Sequence, residues 1–215
     1  LSGLVGWEMC IRDRSQPSRK ELTRERIVTA AARAIRRGGY AGVGVADIMK
    51  EAGLTHGGFY AHFDSRDTML AAAMEQAGRE SSARLARRMA GRRADGDSPL
   101  RAWVETYLSD FHLPRLEEGC PIAALASEMP RQSPDVRGVA ARRVSTMIEA
   151  IQQVLPASAG SHAAAAIVST LVGALQLART LGDNAEGRAV LAAARRSVLD
   201  QYDHEGQDNK PPLPH

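Results

Sequence analysis

The chain has very little cysteine and no long apolar run. Two of its 215 residues are cysteine, Cys10 and Cys120, so a disulfide framework is excluded and no metal-ligand spacing is present. We expect a reducing compartment, the cytoplasm, with no metal and no cofactor. No stretch approaches the roughly 18 uninterrupted apolar residues that a membrane-spanning helix needs, so we expect no membrane partner. No segment shows the alternating polarity that is typical of a strand.

Apolar residues are nevertheless plentiful, and they recur at helical spacing. With 44% hydrophobic and 25% charged residues, the composition suits a folded chain with a sizeable core. Apolar spacings of three and four residues predict an all-α fold. The predicted helices cover 18–37, 45–52, 55–63, 66–91, 99–111, 119–129, 134–155, 161–181 and 186–202. Ser18 and Glu21 are expected to form a capping box at the start of the first helix, and Ser98 is expected to cap the helix that begins at Pro99. Phe59 and Phe63 are expected to pack in a small core. The helix at 161–181 is apolar on nearly every side, which predicts a subunit interface as its second partner.

The stretch from 45 to 63 has the pattern of two short helices joined by a tight turn. Gly53 is expected to end the first helix, because glycine adopts left-handed backbone angles at little cost. Thr55 follows as the predicted N-cap of the second helix. Two helices with a glycine-containing turn are typical of a helix-turn-helix, whose second helix enters the major groove of DNA.

Basic residues cluster immediately before this stretch. Between residues 12 and 37 there are nine Lys or Arg against three Asp or Glu, a local surplus of six in a chain whose formal net charge is only +3. Such a segment is typical of a surface that binds phosphate. The alternative is a solvated helix face on an arginine-rich protein.

Residues between 39 and 70 carry a family resemblance. They are Gly39-Tyr40, Val45, Ile48, Ala52-Gly53 and, above all, the run THGGFYAHFDSRDTML at 55–70. On these residues the chain resembles the TetR/AcrR family of one-component transcriptional regulators, whose common role is that of a repressor. The resemblance implies a homodimer formed through the last two helices, a palindromic operator in double-stranded DNA, and release by a small-molecule effector or an electrophile.

The resemblance also implies a division of the chain into two units. A three-helix N-terminal DNA-binding domain with the helix-turn-helix is expected at 18–65, and a C-terminal helical domain for ligand binding and dimerisation at 66–202. The segment 1–17 is interpreted as disordered or artefactual. The polar, proline-rich tail at 203–215 is interpreted as disordered.

Seven residues are predicted to contact DNA. They are Thr55, His56, Gly57, Gly58, Tyr60, His62 and Arg66. Tyr60 and His62 carry a phenol and an imidazole that suit phosphate oxygens, with surface packing as the alternative, and His56 lies at the leading end, where side chains meet base edges. Thr55 is expected to donate to phosphate as well as to cap its helix. Arg66 opens the next helix and is expected to hold a phosphate with its charge and the helix N-terminus.

Glycines limit what this surface can read. Gly44 stands where the family usually has a Ser or Thr cap, so one phosphate contact is expected to be absent. Gly57 and Gly58 cost a helix about 1 kcal/mol each relative to alanine. They permit close approach of the backbone to DNA but leave few base-reading side chains, so specificity is expected to depend on DNA shape.

A ligand pocket is expected between the middle helices. Its candidate lining is Trp103, Tyr107, Phe111, Cys120, Met129, Met147 and Leu175, with an ordinary apolar core as the alternative. Cys120 precedes Pro121 at a predicted helix start, a position that raises thiol reactivity. Its segment GCPIAALASEM is similar to the one that carries an electrophile-sensing cysteine in some family members. A buried, inert cysteine is the alternative.

Catalytic residues are not indicated. His112, Glu117, Glu118 and Cys120 lie close in sequence, but their spacing matches no catalytic triad and no metal motif, so we expect no enzyme activity. A ligand-independent DNA-binding regulator and an activator both stay open as functions. The sequence does not separate these two from a ligand-released repressor.

Overall fold

The computed structural model describes residues 17–156 and 158–203, and these residues form an all-helical fold without a strand. The α-helices are α1 (Arg19–Gly38), α2 (Val45–Glu51), α3 (Arg66–Ala94), α4 (Pro99–Tyr107), α5 (Pro121–Leu125), α6 (Pro134–Gln152), α7 (Ala163–Leu181) and α8 (Ala185–Tyr202). Two 3-10 helices complete the set, at His56–Ala61 and Ala126–Arg131. The predicted all-α class is confirmed. The predicted disorder at 1–16 and 204–215, and Cys10, lie outside the described residues.

Local capping signals begin and end several helices as predicted. At the start of α1, the backbone N–H of Ser18 donates to Glu21 Oε2 at 2.7 Å and the N–H of Glu21 donates to Ser18 Oγ at 3.2 Å, which is a complete capping box. These hydrogen bonds to Ser18 lower the pKa of the Glu21 carboxyl. Gly53 has the left-handed φ of +69° that ends α2. Ser98 Oγ accepts from the N–H of Arg101 at 3.0 Å and caps α4.

The first three helical elements enclose a small core of their own. α1 buries one face through Ile27, Ala31 and Ile35, none of which is exposed. Phe59 and Phe63, each 2% exposed, stack with ring centroids 5.7 Å apart. The sequence interpretation placed both phenylalanines in this core, and that is confirmed. The core fixes the 3-10 helix at His56–Ala61 against α2.

The long helix α3 connects this core to the rest of the molecule. It packs against α1, and also against α4 and α6. α7 packs against α6 and α8, while α8 also touches α4. Buried Met69, Leu70 and Met74 belong to the first part of α3, and Leu85 and Met89 are half-buried in its second part. One continuous helix therefore joins the two predicted units.

Several predicted boundaries differ from the structure. The helix predicted at 119–129 is α5 followed by the 3-10 helix that ends at Arg131, and the helix predicted at 134–155 ends at Gln152. α3 runs three residues beyond its predicted end, to Ala94. α4 stops at Tyr107, so Phe111 lies on a turn and is 38% exposed. The prediction of a helix to 111 is wrong because side chains occupy the carbonyl groups that a longer helix would use. Ser109 Oγ donates to Thr106 O at 2.8 Å, and His112 Nδ1 donates to Tyr107 O at 2.7 Å. Asp203, predicted to begin the tail, pairs with Arg101 at 2.8 Å and accepts from Ser98 Oγ.

α7 is the most apolar helix and leaves part of its surface uncovered. Its length and mean hydropathy of 1.5 would suffice to cross a membrane, but polar residues interrupt it and it packs within the helical bundle. On its outer side Leu177 is 62% exposed and Leu181 is 44% exposed. These two leucines define the exposed α7 face.

Candidate nucleic-acid interface and inner cavity

The turn between α2 and the following 3-10 helix is held by backbone and side-chain bonds. The N–H of Gly53 donates to Lys50 O at 2.9 Å, and the N–H of Leu54 donates to Met49 O at 2.8 Å. Arg26 reaches over from α1 and donates to Ala52 O at 2.6 Å. The carbonyl groups at the end of α2 are therefore satisfied, and the segment after the turn leaves in a fixed direction.

The predicted recognition helix is a six-residue 3-10 helix, not an α-helix. Thr55 is at its N-cap position with an extended backbone, yet its side chain makes no capping hydrogen bond within the described residues, so the predicted cap is wrong. Instead the N–H of Gly58 donates to Thr55 O at 3.1 Å, an i to i+3 bond. The physical reason is the pair Gly57-Gly58, which has low helix propensity in so short a segment.

The outer surface of this segment is formed by exposed hydrogen-bonding side chains on a rigid base. Tyr60 is 72% exposed, while its neighbour Phe59 is 2% exposed and meets it edge to face with ring centroids 5.2 Å apart. Thr55 and His56 are exposed beside it. His62 is half-buried, and its Nδ1 is enclosed with no hydrogen-bond partner among the described residues. The DNA contacts of these residues stay predictions.

Packing inside the protein does not require either glycine of the pair. At Gly57 no atom of the described residues lies within 4 Å of the position that a Cβ would occupy. At Gly58 the nearest atom is Met49 Cε at 3.7 Å, an ordinary contact. Gly57 is also exposed. Both glycines therefore leave the backbone of the recognition segment open to an external molecule.

Arg66 is turned inward. Its Nη2 donates to the carbonyl oxygens of Tyr40 and Val43, the latter at 3.1 Å, so this side chain holds the α1–α2 loop against the start of α3. That role was not predicted, and the phosphate contact of Arg66 stays a prediction. Gly44 caps α2 without a side-chain hydrogen bond, as predicted.

Internal contacts engage several residues of the predicted basic surface. Arg36 is only 3% exposed and donates to Glu80 Oε2 at 2.8 Å. Arg37 pairs with Glu51 on α2 and with Glu117, each at 3.0 Å. The exposed cations of α1 are Arg19, Lys20, Arg24, Arg26, Arg33 and Arg37. The phosphate-binding surface is thus narrower than the sequence indicates.

Two contacts connect the DNA-binding candidate to the segment that follows α4. The carboxylate of Glu128 accepts from the N–H of Tyr40 at 2.9 Å, at the end of α1. The second contact is made by Arg37 of α1, which forms one ion pair with Glu51 of α2 and another with Glu117. A displacement of residues 109–131 therefore acts directly on α1 and α2.

An inner cavity of about 430 Å³ lies between α3, α4 and α6. Four predicted pocket residues line it, namely Trp103, Tyr107, Cys120 and Met147. Phe111, Met129 and Leu175 are not among its lining residues, and their part in a ligand pocket stays a prediction. Phe111 instead carries the guanidinium of Arg115 over its ring at 3.4 Å and borders a separate cavity of about 50 Å³. Leu175 is fully buried in the core.

The sequence interpretation missed Arg143, which also lines the inner cavity. A signal for it was present, because Arg143 lies three residues after Ala140 and four before Met147, both on the buried stripe of α6. A cation within an apolar stripe faces the interior. The position of Arg143 in the helix therefore indicated a charge inside the molecule.

Cys120 belongs to a buried cluster at the wall of the cavity. It is 2% exposed, and its backbone N–H donates to His112 Nε2 at 3.1 Å. The other ring nitrogen, Nδ1, lies 2.7 Å from Tyr107 O and must carry the hydrogen, because a carbonyl only accepts. Burial above all, together with nearby arginines, lowers the pKa of His112 to about 4, while the Tyr107 hydrogen bond opposes this. His112 is therefore neutral at pH 7. The described residues contain no group of three or more metal-ligating side chains.

Comparisons with known proteins match both parts of the chain. The family model described as bacterial regulatory proteins of the tetR family matches residues 27–73. The model described as the C-terminal domain of LmrA/YxaF-like transcriptional regulators matches residues 98–197. An uncharacterized HTH-type transcriptional regulator in the lacX 3' region of Lactococcus lactis subsp. lactis is 26% identical over 167 residues, which cover 75% of this chain and 85% of the relative.

Solved structures agree with this assignment. A TetR transcriptional regulator from Chloroflexus aurantiacus J-10-FL is 25% identical with a TM-score of 0.67, and the match covers 84% of this chain and 94% of that one. NemR of E. coli in its reduced form is 19% identical with a TM-score of 0.70, covering 89% and 99% of the two chains, and shares the fold. Because family models match the helix-turn-helix and the C-terminal helices in turn, the chain belongs to the TetR family of transcriptional regulators.

Proposed function

We propose that the protein is a ligand-responsive repressor that binds a palindromic operator as a homodimer. The observation that carries this proposal is the exposed Tyr60 on a rigid base of buried Phe59, next to exposed His56 and the open backbone of Gly57. A phenol, an imidazole and free backbone suit phosphate oxygens and base edges. With few side chains available to read bases, sequence selection depends largely on DNA shape.

The exposed α7 face supports dimerisation. Leu177 and Leu181 present apolar surface on a helix that already packs against α8. We infer that the two helices of one subunit meet the same two helices of another around a two-fold axis. Such a dimer presents two recognition segments to successive major grooves, at half-sites about 34–36 Å apart.

The inner cavity is the proposed effector site. Its volume of about 430 Å³ lies within the range of about 300–1,000 Å³ that is typical of small-molecule sites. A ligand there touches Tyr107 at the end of α4 and Cys120 within the segment 109–131, whose Glu117 and Glu128 contact the DNA-binding unit. Movement of this segment alters the spacing of the two DNA-binding units, and operator affinity falls because only one spacing fits DNA.

The first prediction concerns Tyr60. Replacing it with alanine is expected to weaken operator binding about 10- to 100-fold, since each half-site loses a hydrogen bond of about 1 kcal/mol or more to a charged phosphate. Duplexes selected by the unmodified protein from a random-sequence pool serve as the operator, and binding is measured by fluorescence anisotropy.

Leu116→Ala, at a side chain that is 41% exposed and lies outside the recognition segment, α7 and α8, is the control and is expected to bind as the unmodified protein does. Tyr60→Phe removes only the hydroxyl and therefore distinguishes its contribution to operator binding from that of the aromatic ring. Full operator affinity of folded Tyr60→Ala protein contradicts the assigned contact.

Release by an electrophile is a second candidate mechanism, favoured by the position of Cys120 on the cavity wall. Treatment with p-benzoquinone is expected to lower operator affinity in the unmodified protein and in Cys10→Ser, but not in Cys120→Ser. Mass spectrometry identifies the modified cysteine. Unchanged affinity with Cys120 shown to be modified rules this mechanism out.

A cytoplasmic location and the absence of catalysis follow from the regulatory role, because the operator lies on the chromosome. An activator or a ligand-independent regulator is the alternative. Repression of a reporter placed behind the selected operator, relieved by a compound that binds the inner cavity, distinguishes the proposed repressor from both.

A further inference from the structure

Arg143 reaches the inner cavity by passing close to the backbone of α3. A Cβ placed on Gly78 would lie 3.1 Å from Arg143 Cδ and 3.4 Å from its Nε. Both distances are tighter than most real contacts of this kind. The glycine in α3 therefore leaves the space through which the arginine side chain extends from α6.

The guanidinium group of Arg143 does not have a hydrogen-bond partner for each of its nitrogen atoms. Its Nη2 donates to Ser82 Oγ, while its Nε is buried and has no hydrogen-bond partner among the described residues. Within the same residues, no ion pair joins Arg143 to an Asp or Glu. A half-buried arginine whose Nε has no hydrogen-bond partner is unfavourable without an anion, and a bound anion would relieve that cost.

The cavity around this cation has no acidic side chain in the part of the chain that the structure describes. One other cation, the exposed Arg93, contributes to the lining. Tyr107 contributes a second enclosed donor, a buried hydroxyl without a hydrogen-bond partner among the described residues. The stacked rings of Trp103 and Tyr107, with centroids 5.4 Å apart, form a flat wall, and Met89 and Met147 add flexible apolar surface.

We propose that the effector is a small aromatic carboxylate, held through its carboxylate by Arg143 and through its ring by Trp103 and Met147. Because Arg143 has no acidic partner, it favours a ligand that carries a negative charge, and the hydroxyl of Tyr107 is a further donor to the same group. The flat aromatic wall suits a planar apolar body. This inference rests on the proposed function, in which the inner cavity is the effector site.

The test compares two probes of equal shape, 2-naphthoate and the neutral 2-naphthamide. Binding to the full-length protein without DNA is measured by isothermal titration calorimetry. The unmodified protein is expected to bind the carboxylate at least 10-fold more tightly than the amide. Equal binding of the two probes, or binding of neither, overturns the proposal without any variant being needed.

The Arg143→Gln variant tests whether Arg143 is responsible for the tighter binding of the carboxylate. It is expected to bind both probes equally, whereas the matched control Arg142→Gln, at the exposed neighbouring position, keeps the preference for the carboxylate. A folded Arg143→Gln protein that still prefers 2-naphthoate 10-fold overturns the assignment.

A separate measurement distinguishes failure of this inference from failure of the proposed function. 2-Naphthoate is added to the complex with the selected operator duplex. Binding of the carboxylate without release of DNA supports the ligand class and contradicts ligand release as the mechanism. If the protein binds its operator but does not prefer the carboxylate to the amide, the proposed ligand class is wrong and the proposed DNA-binding function is unaffected.

Discussion

Replacing Leu177 with glutamate is expected to convert the proposed homodimer into monomers and to weaken operator binding about 100-fold or more. Leu177 is 62% exposed in the single chain, so the substitution leaves the fold of the monomer unchanged. Across a two-fold axis each new carboxylate would enter an apolar interface, which is strongly unfavourable. A monomer binds one half-site at a time, and the gain from linking two binding modules is typically 10²- to 10⁴-fold.

Sedimentation equilibrium reports the mass of the assembly, and anisotropy reports affinity for the selected duplex. Leu116→Glu provides the control, because Leu116 is a comparably exposed leucine, 41%, outside α7 and α8. It is expected to remain dimeric with unchanged affinity. If Leu177→Glu remains dimeric and Leu116→Glu dissociates, the interface lies elsewhere.

The second large effect is a loss of stability at mildly acidic pH that originates at His112. Its folded-state pKa of about 4 is below its ordinary value of 6.5. As pH falls, the unfolded chain therefore takes up a proton first, so stability is complete above pH 6.5 and is lost as pH falls toward 4. The expected loss from this residue is about 2 kcal/mol between pH 7.5 and pH 5, approaching about 3 kcal/mol below pH 4.

The hydrogen-bond geometry around the His112 ring also disfavours its protonated form. A second hydrogen on Nε2 would face the N–H of Cys120, which already donates to that nitrogen. Urea unfolding at pH 7.5 and pH 5 measures the effect. His112→Gln is expected to lack this part of the pH dependence, although its stability at pH 7.5 is lower, while His162→Gln at an exposed site keeps it. Parallel pH profiles for the unmodified protein and His112→Gln contradict the prediction.

Features that depend on neighbours in the sequence were predictable. The capping box of Ser18 and Glu21 and the cap at Ser98 each join residues three apart. The turn at Gly53 depends on one residue's backbone freedom. Amphipathic spacing placed Trp103 and Met147 on buried faces, and both line the inner cavity. Such signals are contained in a window of a few residues.

Features that depend on distant partners were not predictable. Arg66 binds Tyr40 across 26 positions, Glu128 binds the same residue's N–H across 88, and Arg179 holds the 109–120 segment from more than 60 positions away. No spacing rule connects these residues, because the fold brings them together.

The recognition segment was an intermediate case. The low helix propensity of Gly57 and Gly58 was visible, but the turn at Gly53 and the cap position of Thr55 led to the prediction of a second helix. The structure has a six-residue 3-10 helix at this position, and the Thr55 side chain makes no capping hydrogen bond among the described residues. Local helix propensity was the better guide in this short segment. Phe59 is its buried residue, so packing against the core does little to impose an α-helix on it.

Gly78 has a consequence for how this regulator can be stabilised. Glycine inside an α-helix is less favourable than alanine by about 1 kcal/mol, so selection for thermal stability alone would favour alanine at this position in α3. The added methyl group would meet the side chain of Arg143 on its way to the cavity. At Gly78 the gain in helix propensity is therefore set against a shift of Arg143 away from the position from which it is proposed to bind the effector. Helix propensity and the path of the arginine side chain place opposite requirements on this one residue.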